Sequence, residues 1–220
     1  MKSKILGSLL IATLFSGASL AAPPDLNLLV KHHMTELGAD GVTRTVSFAE
    51  RVYRRDGMVW IERVLPPEAH READHAKGGH DHKHMDIAAA ARWITKEGEQ
   101  PVRIRLVNAH DKVVVNVPAA EYGNIGFDGN WANAQYLLDP QQLKTMTSKA
   151  GGWYERSANG RSVKIQWDAK AEIPRRVESA DRNGTFRRTM QAETIPAPNK
   201  APWDETKSGY QSKEYSDYLD

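Results

Sequence analysis

The sequence contains no cysteine, and this absence removes several kinds of chemistry at once. Disulfide bonds, thiolate metal ligands and cysteine nucleophiles are all excluded. A lipid attached to an N-terminal cysteine is excluded for the same reason. We therefore expect a protein without a lipid anchor.

The sequence also lacks an excess of charge of either sign. It holds 30 Lys and Arg against 28 Asp and Glu, and the totals become equal when Lys2 and Lys4 are set aside. A nucleic-acid-binding domain carries a basic excess clustered on one face. We therefore expect no nucleic-acid partner.

No hydrophobic run is long enough to span a membrane, which takes about 20 apolar residues. The apolar stretch near the start, from Ile5 to Phe15, follows two lysines and leads into small residues ending at Ala21 and Ala22. This order is typical of a secretory signal peptide. It predicts a signal peptide over residues 1–22, a mature protein in the periplasm and no permanent membrane anchor.

Helical spacing of apolar residues occurs directly after this leader. Leu26, Leu29, Val30, His33 and Leu37 would share one face, which predicts a helix over Leu26–Leu37 that stops at Gly38. A short alanine-rich helix is predicted from Ile87 to about Trp93. Another is predicted to open at Asp139 and Pro140, with the aspartate as its cap.

Strand signals dominate the rest of the chain. Apolar and polar residues alternate in Val102–Leu106 and in Val163–Trp167, and Val113, Val115 and Val117 follow the first stretch to form a hairpin with one dry face. Two-residue hairpin turns are predicted at Asp56-Gly57, Asn159-Gly160 and Asn183-Gly184. Residues 121–131 read as a loop, and residues 196–220 read as an extended tail.

These elements predict an α+β fold in which helices cover the dry face of an antiparallel sheet. The order of the helix Leu26–Leu37, the hairpin at Asp56-Gly57, the pair Val102–Val117 and the meander Ser162–Met190 resembles the LolA/LolB-type lipoprotein carriers. The resemblance implies an open antiparallel half-barrel covered by two helices, over residues 23–195. It also implies an apolar cavity for acyl chains, and hence an apolar ligand or an exported protein as the partner.

One segment carries evident metal chemistry. The polar stretch 68–86 interrupts the domain and lacks apolar periodicity; its histidines are His70, His75, His80, His82 and His84. Neutral imidazole binds Cu, Zn and Ni well, so we expect the loop to bind one of these ions without any cofactor being obligatory.

Five tryptophans are candidates for lining the cavity: Trp60, Trp93, Trp131, Trp153 and Trp167. The chain shows no serine-nucleophile motif, phosphate loop or suitably spaced carboxylate pair, so no catalytic residue is predicted. Two kinds of function remain open. One is a non-enzymatic carrier or sensor that holds an apolar ligand, and the other is a periplasmic metal-handling protein that uses the histidine loop.

Overall fold

A computed structural model describes residues 22–65 and 89–218. These residues form a single twelve-stranded sheet. Its strands are β1 Leu26–Leu37, β2 Thr43–Arg55, β3 Met58–Arg63, β4 Ala91–Thr95, β5 Arg103–Asn108, β6 Val113–Val117, β7 Thr147–Lys149, β8 Trp153–Ala158, β9 Arg161–Asp168, β10 Ile173–Asp181, β11 Phe186–Thr194 and β12 Gln211–Glu214.

The strands are ordered β12-β6-β5-β4-β3-β2-β1-β11-β10-β9-β8-β7. The first and last strands do not pair, so the sheet is open. Every neighbouring pair is antiparallel except β12 and β6, which run parallel. The predicted class of open antiparallel half-barrel with helices is therefore confirmed.

The predicted helix over Leu26–Leu37 is wrong, because these residues form β1. All twelve of them pair with β2, and nine pair with β11 on the other side. Leu28 and Val30 are almost fully buried, whereas Leu37, assigned to the helical face, is 44% exposed. The segment forms a strand because both of its edges pair with neighbouring strands, which buries the alternating residues Leu28 and Val30. Gly38 does not end a helix but lies in the hairpin turn between β1 and β2.

The alanine-rich helix predicted to reach Trp93 is also wrong at its described end, since Ala91–Thr95 is β4. Residues 121–131, predicted as a loop, include most of a 3-10 helix, Ala119–Ile125, and the start of helix α1, Trp131–Tyr136. The helix start at Asp139 and Pro140 is confirmed. It opens a 3-10 helix, Pro140–Thr145, in which the Asp139 carboxylate accepts a hydrogen bond from the Gln141 amide.

The turns follow the sequence signals in two of three places. At Asp56-Gly57 and at Asn159-Gly160 two residues link the strands, and both Asn159 and Gly160 have positive φ. At Asn183-Gly184 the two-residue turn is wrong, because four residues link β10 to β11. Asp181 accepts hydrogen bonds from Thr185 and from the amide of Phe186, which stabilises the longer turn.

The main core lies on one side of the sheet, which we call the inner face. Its most deeply buried strand residues include Leu28, Val30, Val52, Val59, Ile94, Ile104, Leu106, Val115 and Ile173. The 3-10 helix Ala119–Ile125 and helix α1 cover part of this face, and Ile125 and Ala134 join its core. The Asn130 side chain caps α1 by accepting from the amide of Ala132.

A second, aromatic cluster lies on the opposite, outer face. Trp60, Trp93 and Tyr53 pack there against Trp203 of helix α2, Pro202–Gly209. The expected extended tail is therefore wrong for residues 202–218, which supply α2, strand β12 and a short 3-10 helix, Tyr215–Tyr218. Tyr215 returns to the inner core.

One arginine is buried completely, which the sequence did not suggest. Arg54 is 1% exposed and lies on the inner face of β2. Its guanidinium donates to four carbonyl oxygens: those of Pro24, Gln135, Ala171 and Glu172. A buried charge is tolerated only when its donors are satisfied, so Arg54 holds the start of β1, the end of α1 and the β9–β10 turn together.

Candidate functional site

The candidate site is a cavity of about 510 Å³ on the inner face, beside the part that the helices cover. This volume lies within the range of roughly 300–1,000 Å³ of small-molecule sites. We call it the inner cavity. It is lined by His32, Phe48, Glu50, Ile61, Arg63, Ala90, Arg92, Leu106, Asn124, Ile125 and Arg188.

The sheet register brings these residues together. His32 lies opposite Phe48, Glu50 opposite Arg63, and Arg92 opposite both Ile61 and Leu106. Residues paired in this way point to the same face of a sheet. The lining is consequently a continuous patch across β1 to β5, joined by Arg188 from β11.

One part of the lining is apolar. Ile61, Ala90, Leu106 and Ile125 supply aliphatic surface, and Leu106 and Ile125 also belong to the main core. The inner cavity is therefore continuous with the hydrophobic interior, a setting that suits the apolar part of a ligand.

The other part is charged and organised around Phe48. The His32 ring stacks on Phe48, with 4.5 Å between centroids and 22° between planes. The Arg63 guanidinium carbon lies 3.7 Å from the centroid of the same ring. A cation over an aromatic face is attracted by the ring quadrupole, so Phe48 fixes both polar groups.

Glu50 is the one acidic residue in this lining. Arg92 donates to its Oε1 at 2.6 Å, and Nε2 of His32 lies 3.4 Å from its Oε2. Burial raises the pKa of Glu50, but the contact with His32 and the positive charge of Arg92 outweigh this effect. The net pKa of Glu50 lies below its ordinary value, so the carboxylate is ionised at neutral pH.

Several polar atoms of the site are buried without a hydrogen-bond partner among the described residues. They are Nη1 of Arg63 and both ring nitrogens of His32. Nε2 of His32 lies 3.4 Å from the Glu50 carboxylate without forming a regular hydrogen bond with it. Buried polar groups are nearly always satisfied in folded proteins, so these atoms mark a place where a ligand can supply acceptors.

A shallow groove of about 580 Å³ on the outer face is larger but less suited to a ligand. Lys149, Lys164, Glu155 and Glu178 line it together with Ala150 and Trp153. The two lysines balance the two glutamates, and Lys164 lies 3.4 Å from Glu155. None of the buried unpartnered atoms belongs to this groove in the described chain.

The structure does not gather the five predicted tryptophans around one cavity. Trp60 and Trp93 pack in the outer cluster, and Trp153 borders the outer groove. Trp131 packs against the inner core, whereas Trp167 lies on β9 opposite Pro174. None of the five is among the described residues that line the inner cavity.

The predicted metal ligands His70, His75, His80, His82 and His84 lie outside the described residues. Within the part of the chain that the structure describes, no group of three or more His, Cys, Asp or Glu is placed to hold a metal ion. Metal binding by the histidine loop thus stays a prediction.

The sequence patterns did not predict the charged half of the inner cavity. Glu50 shares the parity of Val46, Phe48 and Val52 along β2, where alternation calls for apolar side chains. A charged residue on the dry parity of a strand is the signal that could have revealed it. His32 was hidden by the incorrect assignment of β1 as a helix.

No protein-family model matches this sequence, and none of the curated proteins is significantly similar to it. No helix within the described residues is long and apolar enough to cross a membrane.

Solved structures similar to the chain are distant from it. A putative outer membrane lipoprotein-sorting protein domain from Vibrio parahaemolyticus has 10% identity and a TM-score of 0.31, over 82% of this chain and 88% of that one. A DUF1329 family protein from Desulfovibrio piger has 9% identity and a TM-score of 0.39, over 84% and 90%. A LolA superfamily protein from Nitrosomonas europaea has 6% identity and a TM-score of 0.30, over 83% and 90%.

A LolA superfamily protein is thus among the solved structures similar to this chain. Every one of these TM-scores is below 0.5, so what the chain binds has to be inferred from its own cavity.

Proposed function

We propose that this protein is an exported, non-enzymatic binding protein that holds an amphiphilic ligand in its inner cavity and works in the periplasm as a carrier or sensor. The observation that carries the proposal is the inner cavity itself, in which aliphatic side chains adjoin a charged cluster. The leader-like residues 1–22 support the periplasmic location.

The division of the lining supports an amphiphile over a purely polar ligand. Ile61, Leu106 and Ile125 offer surface continuous with the core, where an alkyl chain gains free energy by leaving water. Arg92, Glu50 and Arg63 lie at the same cavity and can meet a polar end. A ligand with both parts would contact both halves at once.

The sequence contains no motif for catalysis, which is compatible with a binding role but is not the evidence for it. Within the inner cavity the one carboxylate, Glu50, is held by Arg92 and His32. A general base needs a pKa near the working pH. Because the pKa of Glu50 lies below its ordinary value, the carboxylate acts as a partner in an ion pair and not as a base.

The test is to fill the apolar half of the inner cavity. We expect Ile61→Trp to weaken binding of monopalmitoylglycerol, a neutral amphiphile, by at least about tenfold, because the indole occupies the space of the alkyl chain. Binding is measured by isothermal titration calorimetry on delipidated protein.

The matched control is Gln191→Trp, which adds the same ring to an exposed position on the outer face. It should bind like the wild type. If both variants bind the amphiphile as tightly as the wild type, the inner cavity is not the amphiphile site.

A further inference from the structure

We infer that the inner cavity selects amphiphiles with an anionic oxygen headgroup, a carboxylate or a phosphate, and that Arg63 is the residue that recognises it. The inference rests on the proposed function, because it names the polar end of the ligand proposed there. It is carried by the charge of the lining and by the unpartnered atoms of Arg63 and His32.

The lining carries an excess of positive charge. Arg63, Arg92 and Arg188 contribute three guanidinium groups, against the single carboxylate of Glu50. Because field lines concentrate in a cleft with low-dielectric walls, such an excess attracts anions. A neutral or cationic headgroup would gain nothing from it.

Glu50 does not neutralise Arg63 by contact. Its Oε1 accepts from Arg92 at 2.6 Å and its Oε2 faces His32. Arg63 lies close enough to help lower the pKa of Glu50, yet no ion pair within 4 Å joins the two residues in the described chain. The charge of Arg63 is therefore left for another anion.

Arg63 is also held in place for recognition. Its guanidinium carbon lies 3.7 Å from the Phe48 centroid, which fixes the plane of the fork while Nη1 stays buried and without a partner. Planar guanidinium groups bind carboxylate and phosphate oxygens through two parallel hydrogen bonds. A preorganised fork loses less freedom on binding than a mobile one.

His32 offers a second polar atom on the other side of Phe48. Its Nδ1 is buried and has no hydrogen-bond partner among the described residues. A headgroup with two or three oxygens can accept from Arg63 with one and meet His32 with another. A single hydroxyl cannot satisfy both sides of the ring, and the hydroxyls of a glycerol group carry no negative charge for Arg63. The anion is therefore favoured over a neutral headgroup.

The experiment compares ligands that share one alkyl chain. Delipidated protein is titrated with palmitate, with palmitoyl lysophosphatidate, with neutral monopalmitoylglycerol and with inorganic phosphate. We expect at least one of the two anionic amphiphiles to bind at least about tenfold more tightly than the neutral one. Comparing palmitate with lysophosphatidate shows whether the cavity prefers a carboxylate or a phosphate headgroup.

Arg63→Met keeps most of the side-chain length over Phe48 and removes the charge. It should remove most of the preference for the anion, so that the affinity for the anionic amphiphile falls by a larger factor than the affinity for monopalmitoylglycerol. Arg63→Lys keeps the charge without the fork and should retain part of the preference. The matched control is Arg51→Met, on the outer face of β2, which should leave every affinity as in the wild type.

The outcomes separate the two claims. Equal binding of anionic and neutral amphiphiles, or an unchanged preference in a folded Arg63→Met protein, would overturn the headgroup assignment and leave the cavity as an amphiphile site. If inorganic phosphate binds as tightly as lysophosphatidate, the cavity recognises an anion but the alkyl chain does not contribute to binding. This result would refute the proposal of an amphiphilic ligand. Failure of all amphiphiles to bind would refute both.

Discussion

Charged residues at inner positions of strands have two different roles in this protein. Arg54 is fully buried, and all of its described hydrogen-bond partners are main-chain carbonyls. Arg63 faces the inner cavity with one unpartnered nitrogen. The first residue therefore stabilises the fold, whereas the second is available to a ligand.

Replacing Arg54 tests its structural role. We expect Arg54→Met to lower the free energy of unfolding by about 3 kcal/mol, because several buried carbonyls lose their donor. Urea unfolding followed by circular dichroism measures the change. Arg51→Met, which removes an exposed ion pair with Glu62, should change stability by less than about 1 kcal/mol. Equal losses in the two variants would contradict the assignment.

Glu50 predicts a pH dependence of stability. Its pKa is lowered in the folded state, so its ionisation stabilises the fold above the ordinary glutamate pKa of 4.5, and this contribution is lost as the pH falls through the lower folded value. We expect the stability difference between wild type and Glu50→Gln to be largest near neutral pH and to shrink below about pH 4.5.

Thermal unfolding at several pH values measures this difference. The control is Glu193→Gln, which removes one side of an exposed ion pair with Lys31 and should have little effect at any pH. A Glu50→Gln difference that is the same at neutral and acidic pH would show that ionisation of Glu50 does not stabilise the fold.

Helix α2 packs against the sheet, whereas the sequence predicted an extended tail in this region. Trp203 is 9% exposed, and its ring centroid lies 5.9 Å from that of Tyr53 and 6.4 Å from that of Trp60. Arg55 stacks on its other side at 5.1 Å. These contacts join the C-terminal residues to the outer face of β2 and β3.

We expect Trp203→Ala to destabilise the protein by about 3 kcal/mol, because it removes a large side chain from a packed aromatic cluster. The midpoint of urea unfolding, followed by tryptophan fluorescence, reports the loss. Asp204→Ala, on the exposed side of the same helix, should stay within about 0.5 kcal/mol of the wild type. Identical midpoints for both variants would mean that α2 does not contribute to the fold.

At the scale of the whole molecule, the sheet joins residues that are far apart in sequence. β1 lies between β2 and β11, and Leu28 pairs with both Val52 and Thr194. The inner cavity depends on this arrangement, since His32 comes from β1 and Arg188 from β11. A ligand in the cavity would therefore contact residues from both β1 and β11. Its binding would stabilise the folded state of the whole sheet.

Metal binding by the histidine loop is a second hypothesis, independent of the inner cavity. We expect the wild type to bind Cu(II) more tightly than Ni(II) or Zn(II), and replacement of His80, His82 and His84 by alanine to weaken that binding by at least about tenfold. Titration calorimetry with each metal alone is the measurement, and amphiphile binding by the same variant serves as the control. Unchanged metal affinity would exclude these three residues as the main ligands.

Local patterns determined a large part of the fold. The alternation around Ile104 and Ile165 and the set Val113, Val115 and Val117 predicted strands with a dry face, and the structure buries all five residues. Asn159-Gly160 predicted a tight turn because both residues accept positive φ. Such signals depend on near neighbours in the chain, which is why the sequence alone was enough to read them.

Tertiary structure alone decided the rest. Leu26–Leu37 contains both a helical and an alternating apolar set, and pairing with two distant strands selected the strand. The tail became a helix and a strand because Trp203 and Tyr215 found apolar partners far away in sequence. The inner cavity has the same origin. Glu50 gives a local signal on the apolar parity of β2, but only the register of the sheet brings it together with His32, Arg63 and Arg188. No local rule specifies which distant strand a residue will face.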